Sequence, residues 1–302
     1  MTLGFGCQTM HETLRIVMVR PPDAAFGHAD PARWHYTARP DLAAALDEHR
    51  WLVEALHRSG ARVVVHDRPL PDHADALFVH DPALVTDAGA VILRMGKPLR
   101  RGEEAAMAAA FEELGVPVLA RLTEPALAEG GDLLWLDRGT LAVGLGFRTN
   151  AEGLRQLATI LEPAGVTVVP VPLPHGGGPD ACLHLMSLIS VLDRDLAVVY
   201  LPLLPVPFVQ LLRERGFRLV EVPDKELPTM APNVLALGPR RCLALRGNPV
   251  TRSRLKEAGC EVLTYRGDEL SLKAEGGPTC LTRPIWRSDA PNPTTQGLGV
   301  RD

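Results

Sequence analysis

The chain has 302 residues, 46% of them hydrophobic and 23% charged, with a formal net charge of −4. That composition suits a globular protein long enough to bury a core without disulfide or metal staples. It excludes a chain-wide basic field, and aromatic residues at 5% are too few for base-stacking platforms, so no nucleic-acid partner is expected.

No apolar run approaches the ~20 residues of a membrane span. Residues 1–13 lack the basic and apolar regions of a secretory leader. The five cysteines are scattered without a Cys-x-x-Cys pair, which argues against a zinc ribbon or redox dithiol and for a reduced, cytoplasmic protein.

In chain order, one pattern recurs about every 45 residues: two short apolar strands, an amphipathic helix and a further strand. The first copy has a strand over 15–20, a helix over 41–59 closed by Gly60, and a strand over 61–66. The second places strands at 76–79, 90–93 and 116–119 around a helix over 102–114. The third reads 132–136, 140–143, helix 151–162 and 166–171. The fourth reads 185–192, 196–200, helix 207–215 and 218–222, and the fifth 233–237, 242–245, helix 250–258 and 260–264. A last apolar stretch over 279–282 has no helix and is free to complete the first unit. Five such units without a linker predict one closed α/β ring rather than two domains or a doubly wound sheet. The expected domain is 1–287, with a flexible tail over 288–302 rich in Ser, Pro, Asn, Thr, Gln and Gly.

Chemistry-bearing residues sit where units begin: Asp81, Glu129 and Asp132 in Glu-Gly-Gly-Asp, His184, and Cys280 after Glu-Gly-Gly-Pro-Thr. Taken singly, each has a plainer reading as a core thiol, a turn or a solvated acid. Their recurrence at equivalent points of different units changes the weighing, because equivalent points of a ring converge on its axis. A thiolate is a soft nucleophile and an imidazole moves protons. Carboxylates beside a thiolate make sense when the electrophile is a cation, and a planar guanidinium fits carboxylates bidentately.

At these residues the sequence resembles the guanidino-modifying superfamily of dimethylarginine dimethylaminohydrolases, arginine deiminases and amidinotransferases. The first of these is the most similar. The matching stretches are Phe78-Val-His-Asp81, Arg100-Arg-Gly-Glu103, Glu129-Gly-Gly-Asp132, Phe147-Arg-Thr-Asn-Ala-Glu-Gly153, Leu183-His-Leu185, Asn233 and Gly276-Gly-Pro-Thr-Cys280. The resemblance implies a five-bladed α/β-propeller, the pentein fold. It implies Cys280 as nucleophile, His184 as general acid then base, and Glu129 as partner of the histidine and the guanidinium. Asp81 would hold the guanidinium, Asp75 would bind further polar groups of the substrate, and Phe78 and Asp132, in the same motifs, would bind substrate with them. Arg100 and Arg148 would clamp an α-carboxylate, which disfavours agmatine.

Two positions depart from the family patterns. His80 stands where these hydrolases carry an acid, and is expected to line the pocket. Met186 stands where deiminases and amidinotransferases carry Asp in a His-x-Asp motif. Hydrolysis of N-methylated arginine to citrulline and an amine therefore leads; hydrolysis of free arginine and amidino transfer are the alternatives. A binding protein that sequesters arginine derivatives without turnover is a rival of another class. No cofactor or metal is implied, the partner is a small arginine-type molecule, and a homodimer is compatible with the reading.

Overall fold

The computed structural model describes residues 4–181 and 183–289. The first unit holds strand β1 (Leu14–Val19), two single-turn helices α1 (Ala24–Gly27) and α2 (Pro31–Trp34), helix α3 (Leu42–Arg58) and strand β2 (Arg62–Val65). The second consists of β3 (Ala83–Thr86), β4 (Gly89–Ile92), α4 (Glu103–Glu113) and β5 (Val118–Arg121). The third is β6 (Leu133–Asp137), β7 (Thr140–Leu145), α5 (Ala151–Leu161) and β8 (Thr167–Pro172). The fourth is β9 (Ile189–Asp193), β10 (Leu196–Val199), α6 (Val206–Glu214) and β11 (Arg218–Glu221). The fifth is β12 (Leu235–Gly238), β13 (Arg241–Leu245), α7 (Pro249–Glu257) and β14 (Glu261–Tyr265), and β15 (Arg283–Arg287) follows it.

These strands form five three-stranded sheets. In each, the central strand pairs antiparallel with one neighbour and parallel with the strand that follows the helix, as in β3–β4–β5 and β6–β7–β8. The first sheet takes its antiparallel strand from far along the sequence: β15 pairs β1 with Pro284 opposite Val17. Local chemistry marks the helix starts. Asp41 caps α3 by accepting from Ala44 N at 2.9 Å, and Asn150 caps α5 by accepting from Gly153 N at 2.8 Å. Helix α3 buries Ala45, His49, Leu52 and Leu56, the three-and-four spacing of one face.

The apolar cores are shared cyclically between units. Ile16 and Met18 pack with Val85 and Ile92, linking the first unit to the second. Leu84 and Val91 pack with Leu133 and Leu141, linking the second to the third. One cluster joins the third, fourth and fifth through Leu134, Ile189, Val198 and Ala236. Leu235 and Leu243 return to Leu14 and Val17. Each such side chain contributes roughly 1.5–3 kcal/mol of burial, so the joints between units are stabilised as interiors are. Among the described residues no helix is long and apolar enough to cross a membrane.

Three expected strands are corrected. Residues 74–77 form a 3₁₀ turn, and the strand starts at Ala83. Residues 185–187 form another, ahead of β9. The stretch 279–282 is a turn, and the closing strand is β15. All three are buried, which makes them read as strand, but their polar groups serve the centre of the molecule rather than a ladder. The expected tail lies, beyond Ser288 and Asp289, outside the described residues.

Candidate active site

The segments that lead into the first strands carry the reactive groups: Asp75 to Asp81 before β3, Glu129 before β6, His184 before β9, Asn233 before β12 and Cys280 before β15. A single cleft is lined by Asp75, Phe78, Asp81, Arg148, His184 and Cys280, together with Lys97, Arg100 and Trp34. Of the residues expected to form the site, Glu129, His80 and Asp132 stand behind this lining.

Close backbone approach explains the glycine pairs. A Cβ on Gly131 would meet His184 Nδ1 at 2.5 Å, and one on Gly276 would meet the Phe78 ring at 2.0 Å. Glycine at these points lets the third unit touch the histidine and the cysteine loop touch the aromatic wall.

His184 is oriented from both sides. Its backbone N–H donates to Ser187 Oγ at 3.1 Å, and the Ser187 backbone N–H donates back to the imidazole. Its Nε2 lies 2.7 Å from Glu129 Oε2 and donates to that carboxylate. Glu129 has no exposed surface, and burial alone would raise its pKa. The His184 hydrogen bond and charge and the Arg148 guanidinium at 3.4 Å outweigh that and hold it below the usual carboxylate range. Its second oxygen accepts from Lys97 N at 2.9 Å.

Asp81 is similar. Burial pushes upward, but the Arg100 guanidinium at 2.5 Å, with His184 and His80 nearby, drives its pKa far down. Asp81 Oδ1 also accepts from Gly131 N at 2.9 Å, tying the second unit to the third.

Arg100 departs from the expected carboxylate clamp. Nε and Nη2 bind Glu103 at 2.8–3.2 Å, Nη2 also reaches the Phe78 carbonyl at 2.9 Å, and Nη1 is on Asp81. It borders the cleft as a strut for Asp81, with most of its donors already committed.

Asp132 supports its neighbours too: Oδ1 accepts from Leu185 N at 2.9 Å, beside His184, and Oδ2 from Thr149 Oγ1 at 2.7 Å. Burial pushes its pKa up to about 6. His80 is 1% exposed, with Nδ1 2.9 Å from the Thr282 carbonyl, so it braces the turn that carries Cys280 instead of facing the cleft. Burial, with Arg283 nearby, lowers its pKa to about 3, so the ring is neutral and donates to that carbonyl.

Cys280 is half-buried at the cleft, and Asn233 Nδ2 lies 3.3 Å from its sulfur. The Asn233 Oδ1 accepts from Thr279 N at 3.1 Å, so one amide holds both the sulfur and the backbone before it. Sequence reasoning matched Asn233 to the family motif without giving it this task; its place before the fifth unit's first strand was the available signal. Lys97, Trp34 and Tyr36 were missed. Among the described residues no group of three or more His, Cys, Asp or Glu side chains is arranged to hold a metal ion.

One cleft thus brings together a thiol, an imidazole backed by a buried carboxylate, and a second buried carboxylate on its wall. The arginine deiminase family profile matches residues 59–206 and 203–287. A dimethylarginine dimethylaminohydrolase of Streptomyces coelicolor is 34% identical over 80% of this chain and 86% of its own. An arginine deiminase of Mycobacterium avium is 33% identical over 53% of this chain and 46% of its own. The solved dimethylarginine dimethylaminohydrolase of Pseudomonas aeruginosa, a cysteine variant complexed with citrulline, superposes with a TM-score of 0.75 at 26% identity, covering 89% of this chain and 98% of that one. The chain belongs to the arginine deiminase family of guanidino-modifying enzymes. It is a hydrolase of guanidino C–N bonds.

Proposed function

We propose that the chain hydrolyses the guanidinium of an arginine-type molecule through a covalent Cys280 thiouronium, releasing an amine and a ureido product. The observation that carries this is the single cleft shared by Cys280 and a His184 whose Nε2 proton lies on Glu129. N-methylated arginine, giving citrulline, is the leading substrate because relatives of that name match most of the chain. Free arginine is the second reading, favoured by the deiminase relatives.

The Cys280 thiolate attacks the guanidinium carbon, and the C=N electron pair moves onto nitrogen. Asp81, on the cleft wall, holds N–H donors of the tetrahedral adduct, while Glu129 stands behind on His184. His184, charged as the imidazolium beside Glu129, passes a proton to the departing nitrogen and becomes the neutral imidazole; the C–N bond breaks and the amine leaves. Water then adds to the thiouronium carbon, losing one proton to His184; the C–S bond breaks to return the thiolate, and the remaining hydroxyl proton passes to solvent as the ureido C=O forms. Proton transfers of this kind contribute ~10²–10⁴-fold, with positioning adding more. Arg148 meets the carboxylate at the other end of the substrate.

The architecture suited to this is a five-bladed propeller formed by 1–287 as one domain, supported by the cyclic sharing of cores and by the likeness to solved relatives. The four described free cysteines fit a reducing, cytoplasmic compartment. Product analysis with arginine, monomethylarginine, asymmetric dimethylarginine and agmatine tests the reading. Citrulline with the matching amine supports it; binding without any product overturns it.

A further inference from the structure

Lys97 is the cleft residue for which the hydrolytic steps have no use. It lies between β4 and α4, and its side chain is 10% exposed. The ammonium donates to Asp75 Oδ2 at 2.6 Å and to the Trp34 carbonyl at 2.8 Å, and it lies 5.2 Å from the centroid of the Trp34 ring. The other oxygen of Asp75 accepts the Tyr36 hydroxyl at 2.7 Å. Both oxygens of this buried acid are therefore engaged, and its charge is neutralised by a resident cation.

The remaining cleft acids suit an incoming ammonium poorly. Asp81 is bound to Arg100, while Glu275 and Asp180 are exposed, where water screens a single ion pair to little value. An ammonium at Asp75 would have to expel Lys97 from a seat made of a carboxylate, a carbonyl and an aromatic face, or lie beside a like charge. A carboxylate meets the opposite situation, because Lys97 and Arg148 both border the cleft.

We infer that Lys97 is a specificity residue that stands in for a substrate ammonium at Asp75, so that the enzyme reads the carboxylate of a guanidino acid and selects against an α-ammonium. The favoured substrate class is then the guanidino carboxylate, and of two molecules with the same chain the one without an α-amino group is the better. This rests on the guanidino-hydrolase reading and departs from its leading substrate, since N-methylated arginine carries the α-ammonium that Lys97 replaces.

The test is kcat/KM for two matched pairs: arginine and monomethylarginine, each against its analogue lacking the α-amino group. The unmodified enzyme should favour the analogue by about tenfold in whichever pair it cleaves. Lys97→Ala and Lys97→Met free Asp75 and should swing the ratio toward the α-amino acid by about tenfold or more. Preference of the unmodified enzyme for the α-amino acid overturns the inference, even if neither variant folds. Folded variants with an unmoved ratio overturn it as well. In both cases turnover persists, so the hydrolase reading stands; release of no amine and no ureido product from any compound removes both.

Discussion

His80 binds the carbonyl of Thr282 at 2.9 Å, two residues beyond the cysteine that faces the cleft. The backbone of His80 accepts from Arg283 Nη1 at 3.0 Å, and its N–H reaches the Cys280 carbonyl at 3.2 Å. One residue of the second unit thus fastens the whole turn that presents the thiol.

This fixes a pH dependence. His80 has a folded pKa of about 3 against an unfolded value near 6.5, so the unfolded chain binds the extra proton. Its contribution is present above about pH 6.5 and is lost as pH falls toward 3, with about 2 kcal/mol gone by pH 5. His49 and His66, lowered to about 4 by burial, act in the same sense. Denaturant titrations of the protein and of His80→Gln should converge on acidification. KM should carry no step from His80 above pH 5, and such a step abolished by His80→Gln would contradict the placement.

Asp132 works in the opposite direction. Its pKa rises from 3.8 unfolded to about 6 folded, so the folded chain binds the proton and stability declines as pH rises through that window. Asp132→Asn cannot ionise and should therefore gain on the parent protein by about 3 kcal/mol between pH 3.5 and 7. A pH-independent difference in unfolding free energy would show that folding does not raise the pKa of Asp132.

Cys280→Ser should abolish turnover, whereas substitutions at Cys7, Cys242 and Cys260 should leave it measurable. Intact-mass analysis during turnover should find the substrate-derived adduct on Cys280. An adduct on Cys260 with none on Cys280 would move the nucleophile. Asn233→Ala, which removes the amide at the sulfur, should slow adduct formation without preventing it.

Glu129→Gln keeps the volume and an acceptor beside His184 but loses the charge. A fall in kcat of about a hundredfold or more is expected, with a shifted pH–rate profile. An unchanged profile would assign the histidine's protonation to other groups.

The two arginines should separate. Arg100→Ala strands Glu103 and Asp81 in the interior and should cost about 3–5 kcal/mol of stability, read as a lowered Tm. Arg148→Ala should chiefly raise KM for carboxylated substrates and narrow their advantage over agmatine. Equal KM effects from both, with no loss of Tm in Arg100→Ala, would restore Arg100 as a carboxylate ligand.

Sequence periodicity located the five repeats because their helices and central strands obey it: α5 and β7 fall close to the expected bounds. It misplaced the segments around the cleft. Residues 76–79, 185–188 and 279–282 are as apolar and buried as strands, and a burial pattern cannot tell a turn that serves a site from a rung of a sheet. That Cys280, His184 and Asp81 meet in one cleft was legible from their position at the unit starts. The tasks of Arg100, His80 and Asp132 were not, because a charged or polar residue within a motif reads alike whether its donors meet a ligand or the protein. Lys97 lay in no motif at all, and its partner Trp34 stands 63 positions away.

The pairing of β15 with β1 has a consequence in time. As the chain leaves the ribosome, four sheets can be completed from neighbouring sequence, while the first waits for residues 283–287. Asp81, Glu129 and His184 are all made before the strand that anchors the turn of Cys280. A nascent chain therefore carries these cleft groups before its thiol, and the cleft has all its walls in place only when the first sheet receives its third strand.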